Sequence, residues 1–135
     1  MPRSVIVSDA LAPVPRPYSY AVKAGGWVFT AGMRGFDRTG SIVGATPGRA
    51  DAQAQTRQAL QNVQAALKAL GVPLAHVAKV KGYLTDFRHF DGYNTAYREV
   101  FTPPWPARAT VGAALVRDHA VVEIEVIATV PEAPR

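Results

Sequence analysis

Cysteine is absent from this 135-residue chain. That absence excludes disulfides, thiolate nucleophiles and zinc–sulfur sites together. No apolar run approaches the roughly 20 residues that a membrane span requires. The opening residues, Met1-Pro2-Arg3-Ser4, lack the apolar stretch of a signal peptide. The expectation is a cytoplasmic protein without membrane attachment. Clustered charge is missing too. Fifteen Lys and Arg against ten Asp and Glu leave a net charge of +5, but the cations are scattered. Without a basic stripe, nucleic acid is not an expected partner, and the milder consequence is attraction of small anions. There is no Gly-x-Ser-x-Gly elbow and no phosphate loop ending in Lys-Ser/Thr. His76, His89 and His119 lack ligand spacing, so a bound metal is not expected.

What is present describes a globular chain. Hydrophobic residues make up 48% and charged residues 19%, and the length suits a single domain spanning 1–135. A short strand is expected at 3–7. Pro13, Pro15 and Pro17 then impose an extended connector up to Tyr18. Residues 19–24 and 27–33 read as a hairpin about Gly25-Gly26, and the arm Trp27–Ala31 is expected to be well buried. Residues 34–50 read as a long glycine-rich loop. Leu60, Val63, Leu67 and Leu70 recur at helical spacing, predicting a helix over 51–70 that Asp51 caps and Gly71 and Pro73 end. A strand is predicted at 76–85. Asp86 then suits the start of a second helix, with Phe90, Tyr93, Tyr97 and Phe101 on one stripe. Strands at 106–115 and 120–130 close the chain. This order predicts an α+β fold, a mixed sheet with two helices packed on one face.

The last third carries the chemistry-bearing residues. Side chains alternate along a strand, so Val122, Ile124, Val126, Ala128 and Val130 share an apolar face. Glu123 and Glu125 point the other way, roughly 7 Å apart. If the strands at 106–115 and 120–130 pair through the turn at 116–119, Arg108, Thr110 and Gly112 join the carboxylate face. Two readings follow. A cross-strand ion pair is the favoured one on pattern alone. The other is a ligand site, because Ala109, Thr110, Gly112, Ala113 and Ala114 leave room beside a guanidinium that can grip a planar carboxylate.

Several segments together resemble the RidA (YjgF) family of enamine/imine deaminases. They are Pro17-Tyr18-Ser19, Val28-Phe29-Thr30-Ala31-Gly32, the helix with Gln55 and Asn62, Asn94 with Tyr97, Pro106-Ala107-Arg108, and Val122-Glu123-Ile124-Glu125. The resemblance implies a chorismate-mutase-like fold and a homotrimer with clefts between subunits. It implies hydrolysis of 2-aminoacrylate-type enamines and imines to 2-keto acids and ammonia, without a cofactor. Arg108 and Glu123 would be the catalytic residues, the first holding the substrate carboxylate and the second positioning water. Tyr18, Ala31, Asn94 and Thr110 would line the cleft. Ala31 and Met33 depart from the serine and glutamine common in the family at these positions. A non-catalytic carboxylate-binding module is the alternative, and an endoribonuclease or translation inhibitor ranks last.

Overall fold

The computed structural model describes residues 3–6, 8–46 and 48–132. The first strand, β1, is short (Ser4–Val5), and Val7 of the expected strand lies outside the described residues. β2 (Ala21–Ala24) and β3 (Trp27–Thr30) form the expected hairpin, and Gly25 takes φ +59° in its turn. The expected burial of the second arm is only half met. Val28 and Thr30 are buried, but Trp27 and Phe29 are 47% and 44% exposed. Aromatic and β-branched residues fit a pleated surface whether or not its outer face is covered.

The segment at 34–50 is not one long loop. β4 (Met33–Arg34) enters it, and β5 (Ala45–Thr46) pairs with β6 (Arg49–Ala50) in a small separate hairpin. Helix α1 (Ala52–Ala69) then starts where expected. The Asp51 carboxylate accepts from the Ala54 N–H at 2.9 Å, satisfying one orphan donor of the first turn. Ala59, Leu60, Val63, Ala66 and Leu67 are fully buried. Each large aliphatic among them contributes about 1.5–3 kcal/mol. β7 (Val77–Leu84) follows, with a register shift between Val77 and Lys79 that explains its imperfect alternation. Asp86 caps a 3-10 turn (Phe87–His89) that runs into α2 (Phe90–Val100). β8 (Ala107–Gly112) and β9 (Val122–Thr129) complete the chain.

The sheet runs β1-β2-β3-β9-β7-β8, with β4 also on β9. This corrects the expected closing hairpin. β8 pairs in parallel with β7, and β7 lies between β8 and β9. Parallel strands need a crossover, and α2 supplies one between β7 and β8. The faces change accordingly. Arg108 sits opposite Val80, which sits opposite Val126; Thr110, Gly82 and Ile124 form the next such row. Residues in one row share a face. Arg108, Thr110 and Gly112 therefore lie on the helix side, not with the glutamates. The expected placement of Glu123 and Glu125 on the far face holds, since Val122, Ile124, Val126 and Ala128 are buried against the helices.

Gly82 admits a close helix–sheet approach: a Cβ there would run into the Tyr93 hydroxyl of α2. Tyr93 is fully buried and has nowhere to retreat. Gly82→Ala is expected to destabilise the fold by about 1–3 kcal/mol through overpacking. Gly26→Ala, which meets nothing within 4 Å, should be close to neutral. Urea unfolding of both variants checks this.

Candidate active site

The site residues fall into two clusters. The first gathers on the helix side of β8. One face of α2 presents Phe90, Tyr93, Asn94 and Tyr97, spaced to fall one turn above another. The Arg108 guanidinium lies over these rings, its central carbon 4.8 Å from the Tyr97 centroid, 5.4 Å from Tyr93 and 5.7 Å from Phe90. Each such contact is worth about 0.5–2 kcal/mol, more where water is excluded. Arg108 Nη1 donates to Asn94 Oδ1 at 2.8 Å. The rings and the amide together fix the plane of the fork. Beside it opens a cleft of about 250 Å³ lined by Asn94, Tyr97, Arg98, Trp105, Pro106 and Arg108.

The hydroxyls of Tyr93, Tyr97 and Thr110 are buried near this fork; Tyr93 lies close enough to Thr110 and Arg108 for both to pull its pKa down, but none of the three makes a well-aligned hydrogen bond among the described residues. Burial raises both phenols above their ordinary value, Tyr97 to about 12. They remain neutral at physiological pH and are available as donors. A planar guanidinium has the geometry to make two parallel N–H bonds to a carboxylate.

The second cluster lies on the open face. Between the paired residues Phe29 and Met33 lie three residues, against two between their partners Ile127 and Ile124 on β9. The extra residue makes a bulge at Ala31-Gly32. Thr30 Oγ1 accepts from the Val126 N–H at 3.0 Å, and the Ala31 N–H donates to Tyr20 O at 2.8 Å, which holds the bulge in place. Gly32 leaves room for Glu123, because a Cβ at 32 would overlap that carboxylate. Glu123 Oε1 accepts from Arg34 Nη1 at 3.2 Å, and Arg34 Nη2 donates to the Tyr18 hydroxyl at 3.4 Å. The two charged side chains are only 18% and 22% exposed. Asn62 of α1 anchors this corner by donating to the carbonyls of Arg34 and Phe36, both at 2.9 Å. Glu125 is occupied elsewhere, accepting from the Tyr83 hydroxyl at 2.6 Å.

The structure thus unites Arg108 with Asn94 and Thr110, and Glu123 with Tyr18 and the Ala31-Gly32 bulge. It does not unite the two groups. They lie on opposite faces, roughly 14 Å apart at Cα by strand spacing and rise. An Arg108–glutamate ion pair within one chain is therefore excluded. Sequence reading missed Arg34, which carries no motif and becomes visible only once β4 pairs with β9. It placed the tyrosines of α2 in the core, where they are, but not as the bed of Arg108.

Residues 8–130 match the family model described as Endoribonuclease L-PSP. The chain is 39% identical to a 2-iminobutanoate/2-iminopropanoate deaminase of Dermatophagoides farinae, covering 93% of this chain and 95% of the relative. Its fold is similar to that of RidA from Psychrobacter sp. PAMC 21119 (TM-score 0.84, 33% identity, 94% and 99% of the two chains). It is similar also to E. coli TdcF, solved with bound serine (TM-score 0.82, 30% identity, 93% and 98%).

The phenols generate a pH prediction. Donation to Glu125 is the main cause that pushes Tyr83 up to about 12, and burial pushes Tyr97 to the same value. A raised folded-state value favours folding while the group is protonated. That contribution is complete below about pH 10, the unfolded value, and is lost as pH climbs toward about 12. Thermal unfolding should show stability falling across this alkaline window. Tyr83→Phe and Tyr97→Phe should each flatten the fall.

Proposed function

The chain belongs to the RidA/YjgF/L-PSP family, and from that membership we propose that it hydrolyses 2-aminoacrylate-type enamines and their imines to 2-keto acids and ammonia. The observation that carries this reading is the Arg108 fork, held on aromatic rings beside an open cleft that Asn94 and Tyr97 also line. The chain is a homologue of an imine deaminase over most of its length. In the proposed reaction the substrate carboxylate docks on Arg108. The enamine takes a proton at its terminal carbon and becomes the imine. Water adds to the C=N carbon and a proton passes to nitrogen. The carbinolamine collapses, expelling ammonia and leaving the ketone. None of these steps requires a covalent enzyme intermediate. Glu123 would orient the water and shuttle its proton, and Arg34 would hold Glu123 in place.

We further propose that the site forms between subunits of a homotrimer. Arg108 and Glu123 face opposite ways in one chain, so a shared substrate needs Arg108 of one protomer and Glu123 of another. The open sheet face supports such an assembly: it carries Trp27 and Phe29, both more than 40% exposed. A second reading is a ligand-binding regulator without turnover. It draws on TdcF, a relative solved with an amino acid bound.

Release of 2-keto acid from imines generated by an amino acid oxidase separates these readings. Arg108→Ala is expected to lose about a hundredfold or more in kcat/KM. Arg108→Lys should also be poor, since a point charge cannot make the planar fork. A folded Arg108→Ala protein with full activity would overturn the assignment. Glu123→Gln should lower kcat at nearly constant KM. Unchanged turnover there would leave Glu123 passive.

A further inference from the structure

A larger cleft lies where the β5–β6 hairpin meets the end of β7 and the start of β9. Its volume is about 580 Å³, and it shares no lining residue with the Arg108 cleft. Arg49, Arg88, His89 and His119 line it, with the hydroxyl-bearing Thr46 and Thr85. No Asp or Glu is among its described lining residues. The walls are held from behind. Fully buried Gln55 donates to the His119 carbonyl at 3.0 Å and accepts from the Val121 N–H at 2.9 Å, gripping the backbone on both sides of Ala120, directly after His119. The Asp51 N–H donates to Gly44 O at 2.8 Å and ties the hairpin to the start of α1.

We propose that this cleft binds a small, multiply charged anion of the phosphate-ester class. Ligand pockets of about 300–1,000 Å³ hold molecules of metabolite size. Two guanidiniums with no acidic residue in the lining call for at least two negative charges. A single carboxylate satisfies one fork, whereas a tetrahedral phosphate accepts from several converging directions. Asp86 contacts Arg88, but that contact is long (3.7 Å) and exposed, and the Asp86 Oδ1 already accepts from the Arg88 N–H at 2.9 Å. His89 adds a pH response. Burial, then Arg88, lowers its pKa against the weaker upward pull of Asp86. An entering anion favours the imidazolium, so binding takes up a proton and strengthens as pH falls.

Isothermal titration with inorganic pyrophosphate tests this without reference to deaminase activity. Saturable binding is expected. Arg49→Gln and Arg88→Gln should each weaken it about tenfold, and the double variant should abolish it. Both arginines are exposed and neither supports the core, so circular dichroism should confirm folded variants. Arg108→Ala should leave pyrophosphate binding unchanged. Absence of saturable binding, survival of binding in the double variant, or its loss in Arg108→Ala would each overturn the proposal. Because Arg108 carries the deaminase reading and Arg49 with Arg88 carry this one, failure of either leaves the other standing.

Discussion

A guanidinium resting on three aromatic rings is the contact around which this protein's helix side is arranged. Arg108 projects from the edge strand β8, and its rings project from α2. They meet because β7, α2 and β8 form a strand–helix–strand unit whose two strands run parallel. The helix must then lie across the strands it joins. Gly82, next to Thr110 in the row beyond Arg108, lets the helix settle close enough for Tyr93 to touch the sheet. A bulkier residue there would lift the ring bed away from the guanidinium. The small side chains of β8 serve the same approach.

The opposite face follows a different logic. There a bulge, not a helix, brings groups together. One extra residue between β3 and β4 turns Gly32 toward Glu123 and lets Arg34 reach it. A partly buried ion pair of this kind adds little net stability once desolvation is counted. Its value lies in geometry: Glu123 is held between a guanidinium and a glycine, with the Tyr18 hydroxyl at the far side of Arg34. Glu125 is two residues along on the same face and is held by Tyr83 instead. The two glutamates, equivalent in pattern, are separated by their cross-strand neighbours.

The second cleft gathers its cationic groups by another route again. The excess of basic residues is scattered along the chain, yet the fold brings Arg49, Arg88, His89 and His119 to one rim. They come from three segments far apart in sequence. No local pattern joins them.

Much of the fold was legible from residue order. The 3–4 spacing of Leu60, Val63 and Leu67 located α1, and the alternation from Val122 to Ala128 located β9 and its buried face. These signals are local, because periodicity depends only on a residue's own element. The family resemblance pointed to Arg108 and Glu123. Strand partnership was not legible, because pairing is a relation between distant segments and a strand carries no mark of its neighbour. Adjacency suggested a hairpin between 106–115 and 120–130, whereas closure through α2 inserted β7 between them. That one insertion moved Arg108 to the helix face. By itself the sequence determined the alternation of β9 and the start and buried stripe of α1, because both are local periodicities. Only the tertiary structure decided which face Arg108 shares, because parity across a sheet depends on which strand lies in between.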